Sequence, residues 1–258
     1  MNRRSFAQYV GGAAMISAMT GARSSCAATP KQRISLFRLE YLYLTHERQR
    51  IAVHDFLASQ AALLRRYASE LGMFTAITGP RVPATLILSG FTSFDDMETS
   101  DAMIRRDAGF RHALEAMEKA AGQPYDRTTM LLRPAALPSE LSHSIAVSQE
   151  LRLFELRIYH SPSEPQLQSL HEQLARPRCG IFARAGIQPL LQADAVAGPS
   201  LPNLAYLIPF AGLAERDKAW TMAAADTKWN AAHESAEPRN QVVTDISLLR
   251  PTSFSPMQ

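Results

Sequence analysis

Cysteine is scarce in this chain of 258 residues, which contains only Cys26 and Cys179. Because Cys26 lies in an N-terminal stretch with the properties of a cleavable leader, Cys179 is the only thiol predicted for the mature chain. No internal disulfide can then form, and packed apolar cores must hold the mature protein together. Cys179 lies in a stretch with helical spacing and has no histidine near it, which favours a packed thiol over a nucleophile.

Neither sign of charge is in large excess. The chain has 27 lysine and arginine residues against 24 acidic ones, a formal net charge of +3. The first 28 residues contribute Arg3, Arg4 and Arg23 and no acidic residue, so the rest of the chain is neutral on paper. Without a basic excess there is no electrostatic reason to bind nucleic acid or an anionic membrane, and we predict neither as a partner.

Long apolar runs are also missing, and none reaches the roughly 20 residues that a bilayer-spanning helix needs. We therefore predict no membrane span after removal of the leader. The familiar motifs of catalytic and metal sites are absent as well, since there is no glycine-rich phosphate loop, CxxC, HExxH or GxSxG. The sequence accordingly predicts no metal site and indicates no reaction class.

The first 28 residues have the three parts of an export signal. Arg3 and Arg4 form the positive region, residues 7–22 are uncharged and rich in alanine, glycine and methionine, and small residues predict cleavage near Ala28. The adjacent arginines resemble a twin-arginine signal, which predicts export to the periplasm. Two alternatives are a general secretory signal and a lipoprotein cleaved before Cys26.

One short pattern is written twice in the chain. The stretches Phe37–Tyr43 and Phe154–His160 both alternate apolar and polar residues, as a strand with one buried face does. Each begins a module that closes on the same tetrapeptide, Leu131–Pro134 in the first and Leu248–Pro251 in the second. Both pairs are separated by 117 residues, so we predict an internal duplication.

Within the first module the pattern predicts further strands and two helices. Apolar residues at helical spacing predict a helix from Arg48 to Leu71 that ends at Gly72. Ser93 and Asp96 form a capping box that begins a second helix, which we predict to continue without a break through Met117. The predicted strands are residues 73–78, 84–91 and 125–133. This β-α-β-β-α-β order is that of a ferredoxin-like unit.

The second module repeats the order. Its first helix is predicted to kink at Pro177 and to end before Gly186, and its later strands are predicted at residues 204–210 and 242–250. Trp220 and Trp229 stand at helical spacing and are predicted to be core residues. The predicted organisation is an export signal at 1–28, a first module at 33–134, a linker at 135–150 and a second module at 151–258.

The residues of the second module resemble those of the NIPSNAP family. The resemblance is carried by Phe154–Tyr159 (FELRIY), Ile181–Ile187 (IFARAGI), Leu213–Trp220 (LAERDKAW) and the closing Leu248–Pro251. The first module resembles the family more weakly, because it lacks the Glu-Leu-Arg-x-Tyr order and has no tryptophan. The resemblance implies an α+β fold in which two tandem ferredoxin-like modules pack sheet to sheet as an intrachain dimeric α+β barrel, in a monomer or a homodimer. It implies no defined biochemical activity.

A barrel of this kind suggests where a ligand could bind. If the apolar residues of the second strand copy (Phe154, Leu156 and Ile158) face the helices, the polar residues between them face the lumen. A lumen of this kind could hold the polar group of a small ligand, and arginine suits a carboxylate. The candidate lumen residues are Glu155, Arg157, Tyr159, Arg133 and Arg250. The alternative is that Glu155 and Arg157 only form ion pairs.

Two histidines occupy equivalent places in the modules. His54 and His171 are 117 residues apart on the predicted first helices, and each is followed by an acidic residue. The functional hypothesis is an axial ligand or an acid/base pair, since some related α+β barrels bind haem through a histidine. The alternative is a pair of helix histidines that local carboxylates fix or that the duplication left behind.

Three functions are compatible with the sequence. The first is an exported binding protein that takes a small, partly apolar molecule into the barrel lumen. The second is an enzyme, either a cofactor-independent monooxygenase or a haem protein, as in related α+β barrels. The third is a non-catalytic interaction protein, which predicts a lumen filled by side chains. The cofactor and the substrate stay unassigned.

Overall fold

A computed structural model describes residues 33–135, 152–227 and 243–258, with the backbone alone described at 173–180 and 183. The predicted leader, nearly all of the predicted linker and Trp229 lie outside the described residues, as does the side chain of Cys179. The described residues form one compact unit. Among the described residues, no helix has both the length and the apolar character needed to cross a bilayer.

The two modules have the predicted order of elements. In the first module the elements are β1 Leu36–Tyr43, α1 Glu47–Tyr67, β2 Glu70–Thr78, β3 Ala84–Phe91, α2 Phe94–Arg106, α3 Ala108–Ala121 and β4 Asp126–Pro134. In the second module they are β5 Leu153–His160, α4 Glu164–Ala185, β6 Leu191–Ala197, β7 Asn203–Phe210, α5 Leu213–Ala224 and β8 Val243–Pro251. The strand predicted at 84–91 is confirmed residue for residue.

Helix ends follow local chemistry, with two corrections. Ser93 caps α2 by accepting a hydrogen bond from the backbone N–H of Asp96, and Gly186 follows α4 with a φ of 74°, both as predicted. The end of α1 was predicted wrongly, because Gly72 lies inside β2 and the helix stops at Tyr67. The unbroken second helix was also wrong, because Asp107 ends α2 and caps α3. Pro177, where we predicted a kink, lies within α4.

The eight strands of the described residues form one closed antiparallel barrel in the order β1-β3-β2-β8-β5-β7-β6-β4, with β4 paired to β1. Each module supplies four strands in ferredoxin-like order. The modules are joined along two seams, β2 with β8 and β4 with β6. The chain is therefore a tandem α+β barrel closed within one molecule, which confirms the predicted fold class.

The interior of the barrel is filled by one apolar cluster to which every strand contributes. Large members from three strands are Phe37, Phe74 and Phe154, and the rings of Phe74 and Phe154 lie 5.0 Å apart between centroids. An eight-stranded barrel is just wide enough for side chains to fill it. Side chains therefore occupy the part of the lumen where we predicted a ligand, and ligand binding itself stays a prediction.

Helices cover the outer face of the barrel in both modules. In the first module α1 and α3 pack on the sheet through an apolar cluster that includes Val53, Leu57, Met73 and Met117. In the second module another apolar cluster joins α4 and α5 to the strands. Because both faces of the sheet are buried, alternation along a strand does not distinguish the inner face from the outer one.

Candidate functional site

The second-module residues predicted to face the lumen lie on the outer face instead. Phe154, Leu156 and Ile158 belong to the cluster inside the barrel. Glu155, Arg157 and Tyr159 therefore point towards the helices, which reverses the predicted orientation. The physical reason is that the narrow barrel interior takes the apolar face of β5, whereas the helix layer supplies polar partners for the other face.

Glu155 forms the centre of a satisfied ion cluster under α5. Its carboxylate is fully buried and accepts hydrogen bonds from the Nε atoms of Arg157 and Arg216 and from Trp220 Nε1 at 3.2 Å. The Arg157 guanidinium lies over the Trp220 ring, 3.7 Å from its centroid, and its Nη1 is 3.4 Å from the Tyr159 hydroxyl. The cluster is thus internally paired, and a ligand-binding role for Glu155, Arg157 and Tyr159 stays a prediction.

Arg133 and Arg250 do not meet these residues. Both are exposed near the ends of β4 and β8. Their neighbours Leu132 and Leu249 face the barrel interior, so the arginines face outward. Their predicted place in the lumen was wrong, because the closing strands also turn their apolar face inward.

The two helix histidines each connect a helix to a strand of the same module. His54 Nε2 is 2.8 Å from Thr85 Oγ1 on β3, and burial, aided by Arg50, lowers the pKa of His54 against the opposing effect of Asp55 and Glu47. His171 Nε2 is 2.8 Å from Asp194 Oδ1 on β6. Each ring is therefore held by a strand side chain.

A cavity of about 800 Å³ lies between the sheet and the helices of the first module. Its floor is the outer face of β1, β3 and β4, and its walls come from all three helices of that module. Pockets for small organic ligands have volumes of about 300–1,000 Å³. The cavity is therefore large enough for a molecule of several fused or linked rings.

Charged side chains are concentrated on the floor of this cavity. Arg38 Nη1 donates to Asp101 Oδ2 at 2.7 Å, and Arg38 Nε lies 3.4 Å from Glu40 Oε2 without hydrogen-bond geometry. Arg38, Glu40 and Asp101 are only 19%, 15% and 24% exposed. Arg127 approaches Glu40 to 3.4 Å from the rim. Arg38 Nε is buried and has no hydrogen-bond partner among the described residues.

Aromatic rings form much of the surrounding wall. Phe56 of α1 and Phe110 of α3 meet edge to face with centroids 5.3 Å apart. Phe91 lies beneath the Arg38 guanidinium, 5.3 Å from its ring centroid. Burial raises the pKa of Tyr125, so this phenol stays neutral and can donate a hydrogen bond at ordinary pH. An apolar body with one polar group would find matching surroundings here.

Sequence reasoning passed over the polar residues of this site although a signal was present. Arg38 and Glu40 are 117 residues before Glu155 and Arg157, so β1 carries the same ion pair as β5 with the charges exchanged. The predicted candidates all came from the second module and the closing strands. The duplication itself pointed to the equivalent pair in β1.

Packing explains the difference between the modules at this place. Helix α2 follows Ser93, and helix α5 follows Gly212. Asp101 and Trp220 each lie eight residues after these positions, so Asp101 of α2 corresponds to Trp220 of α5. The Trp220 indole packs against Phe182 with centroids 5.9 Å apart and covers Arg157. Asp101 is far smaller than tryptophan and lines the first-module cavity, whereas the Trp220 ring occupies the equivalent place over Arg157.

Metal and haem ligands were tested against these surroundings. Among the described residues, no three or more His, Cys, Asp or Glu side chains are grouped to hold a metal ion. His54 and His171 do not line the cavity. The haem hypothesis that depended on either histidine therefore does not fit this site.

Known proteins resemble the chain at two levels. Residues 154–256 match the model of the NIPSNAP family. Over most of its length the chain is similar to the crystal structure of an anthrone oxidase-like protein, with 13% identity and a TM-score of 0.54, covering 86% of this chain and 93% of that one. No match was found among curated proteins.

Two further crystal structures are those of putative monooxygenases. The protein from Lactobacillus acidophilus has 7% identity and a TM-score of 0.50, covering 85% of this chain and 94% of that one. The protein from Fusobacterium nucleatum has 6% identity and a TM-score of 0.51, covering 84% and 92%. At identities this low the similarity concerns the fold alone. The second module of this chain is therefore a NIPSNAP domain, within a tandem α+β barrel whose first module holds the cavity.

Proposed function

We propose that the protein binds a small aromatic molecule with a hydroxyl group in the cavity of the first module. The observation that carries this proposal is the cavity of about 800 Å³, with a guanidinium nitrogen of Arg38 on its floor that is buried and has no hydrogen-bond partner among the described residues. The proposal keeps the predicted ligand class, a small and partly apolar molecule, and moves its site from the lumen to the space beneath the helices.

The walls account for the apolar part of the ligand. Phe56, Phe91 and Phe110 together with Tyr67 and Tyr125 line the cavity. Aromatic side chains bind flat apolar rings through large contact areas and edge-to-face or offset-stacked geometries. A planar ring system should bind to this wall more tightly than a flexible chain of the same volume, because it loses less conformational entropy on binding.

The floor accounts for the hydroxyl group. Arg38 Nε can only donate a hydrogen bond, and the Glu40 carboxylate beside it can only accept one. A hydroxyl oxygen placed between them accepts from Arg38 and donates to Glu40, so it satisfies both. A carboxylate ligand would instead face Glu40 and Asp101, which already flank Arg38 at 3.4 and 2.7 Å. The site therefore favours a neutral hydroxyl over an anion.

Calorimetric titration with 1-naphthol tests this function, with naphthalene and 1-naphthoate as matched probes. We expect 1-naphthol to bind at least about tenfold more tightly than either, since a hydrogen bond to a charged group contributes about 1.5–3 kcal/mol. Leu114→Trp fills the cavity from α3 and should abolish binding, whereas Met222→Trp on the exposed face of α5 should not. Equal binding by both variants would refute the site.

A second candidate function is oxidation of the bound molecule by O₂. Glu40 is placed to take the hydroxyl proton, and Arg38 to stabilise the resulting oxyanion, which is the activated form for reaction with O₂. The similar structures described as anthrone oxidase-like and as putative monooxygenases support this candidate. Anthrone is a suitable probe, because one anthrone and one O₂ give one anthraquinone and one water.

Oxygen uptake with anthrone separates the two candidates. An enzyme should consume O₂ faster than buffer does, and Glu40→Gln should lose the rate while still binding 1-naphthol, because glutamine keeps the shape but accepts no proton. A rate no higher than that of buffer, with 1-naphthol binding intact, would leave the binding function and remove the enzymatic one.

A further inference from the structure

One end of the barrel carries polar side chains on its inner face. We call this end the upper end of the barrel. Because neighbouring strands are antiparallel, four strands end there (β1, β2, β5 and β6) and the other four begin there (β3, β4, β7 and β8). Three interior residues mark the inner face of their strands, namely Ile158, Ala205 and Leu249. Each lies an even number of positions from a polar residue on the same strand, and these polar residues are His160 of β5, Asn203 of β7 and Asp245 of β8. These three polar side chains therefore face inward at the upper end.

The hydrogen bond between His160 and Asp245 determines the tautomer of the histidine. His160 Nε2 lies 2.9 Å from Asp245 Oδ2. An ionised carboxylate only accepts, so the neutral imidazole must carry its proton on Nε2. Nδ1 is then an acceptor, and it is buried without a partner among the described residues.

Asn203 presents a second unpartnered acceptor. The residue is fully buried, and its Nδ2 donates to the backbone carbonyls of Pro199 at 3.1 Å and Ser200 at 3.3 Å. Two carbonyl acceptors fix which end of the amide is nitrogen, because the opposite assignment would set oxygen against oxygen. Asn203 Oδ1 is therefore the free atom, and it has no partner within the described part of the chain.

The two acceptors belong to neighbouring residues. His160 and Asn203 are directly paired in the β5–β7 ladder, so their Cβ atoms lie about 4.5–5.5 Å apart on the same face. A group that satisfies both must donate two hydrogen bonds. A buried water could donate to both acceptors, but its lone pairs would point away from them, and the N–H groups of His160 and Asn203 already donate elsewhere. An ammonium group has donors only.

Charges of both signs lie near the upper end, since Asp245 is acidic and the Arg81 guanidinium lies over the Tyr43 ring, 3.7 Å from its centroid. Asp245 is 42% exposed, so a ligand can approach it from solvent. Burial raises the pKa of Tyr41, and the negative charges of Tyr43 and Asp245 raise it further. Tyr43 stacks on Tyr41 with centroids 6.0 Å apart. The Asp245 carboxylate is therefore the group that attracts an ammonium ion to this end of the barrel.

We propose that the upper end of the barrel is a second binding site, in which His160 Nδ1 and Asn203 Oδ1 accept hydrogen bonds from a protonated primary amine that Asp245 attracts. The site is separate from the first-module cavity, whose lining includes none of these residues. It takes a different chemical class of ligand, and it does not depend on the proposed function above.

Nitrogen NMR of the full chain labelled with ¹⁵N-histidine tests the proposal. Methylammonium chloride would be titrated at about pH 8, where an ordinary histidine is neutral, with tetramethylammonium chloride as the matched salt that has no N–H donor. We expect a saturable shift of the His160 Nδ1 resonance with methylammonium and none with tetramethylammonium. Equal responses to both salts, or no saturable response, would overturn the proposal.

Three variants sharpen this experiment. His160→Leu identifies the His160 resonances and removes the Nδ1 acceptor, so it should abolish methylammonium binding, detected as stabilisation against thermal unfolding. Asp245→Asn can still accept from His160 Nε2 but lacks the charge, so it should weaken binding about tenfold. His171→Gln alters a comparable histidine–aspartate pair at 2.8 Å on α4 and should bind like the wild type. Loss of binding in the His171 variant, or retention in the His160 variant, would refute the site.

Discussion

At the scale of single residues, the structure contains a buried carboxylate whose removal should be costly. Glu155 is fully buried and holds two guanidinium groups and an indole N–H. We expect Glu155→Gln to lower the free energy of unfolding by about 3 kcal/mol, because the half-buried Arg157 would lose its counter-charge and Arg216 would keep only Asp217. Urea unfolding of both proteins measures this difference.

The matched control for that change is an exposed ion pair. Glu47 bonds to Arg50 on the surface of α1, and surface pairs contribute little to stability because water screens them. Glu47→Gln should therefore unfold at the same urea concentration as the wild type. Equal midpoints for the two variants would contradict a stabilising role for the Glu155 cluster.

A second residue-scale prediction concerns pH. Burial lowers the pKa of His54, so the unfolded chain takes up a proton there at higher pH than the folded one does. The stabilising contribution of His54 is complete above the ordinary pKa of about 6.5 and is lost as the pH falls towards the lowered folded value.

His54→Gln tests this effect, because glutamine can still reach Thr85 but does not titrate between pH 5 and 8. As the pH falls from 8 to 5, the unfolding free energy of the wild type should decrease relative to that of the variant. A constant difference would show that His54 titrates alike in both states.

At the scale of elements, the break between α2 and α3 depends on one side chain. Asp107 Oδ1 accepts from the backbone N–H of Phe110 at 2.8 Å, and the Asp107 backbone is extended, with φ −64° and ψ 121°. Asp107→Ala removes this cap and should lower the unfolding free energy by about 1 kcal/mol. Because α3 carries Phe110 and Leu114 on the cavity wall, the same variant should also bind 1-naphthol more weakly.

The control for the helix cap is Asp107→Asn. Asparagine accepts the same hydrogen bond and is an equally good capping residue, so its stability and its 1-naphthol binding should remain close to wild type. Thermal unfolding and calorimetry follow the two properties. A variant with asparagine that behaves like the alanine variant would point to the charge of Asp107 rather than to the cap.

At the scale of the whole molecule, the two modules depend on each other for closure. Within its own module, β6 is paired along one edge only, and so is β8. The other edge of β6 pairs with β4 and the other edge of β8 pairs with β2, both of the first module. The interior cluster contains residues of every strand of the barrel. Residues 152–258 expressed alone would expose two strand edges and an apolar sheet face. We expect this fragment to form a dimer, with a second copy in the place of the first module, as measured by light scattering. A monodisperse, folded monomer would contradict this dependence.

Local patterns in the sequence determined the order of elements and the architecture. Alternation in β1 and β5, the cap at Ser93 and the left-handed Gly186 are decided by neighbours within a few residues, so they can be predicted from the chain alone. The repeat at a separation of 117 residues then indicated that these elements form two similar modules. The family resemblance completed the prediction of a barrel.

Only the tertiary structure decided which face of each strand looks inward and where an open space remains. Both faces of a covered barrel are buried, so the alternation of Phe154, Glu155 and Leu156 is compatible with either orientation. The cavity depends on Asp101 standing where the second module has Trp220, and the upper site depends on His160 pairing with Asn203 across two strands. These are contacts between residues distant in the chain, and their geometry follows from how whole elements pack.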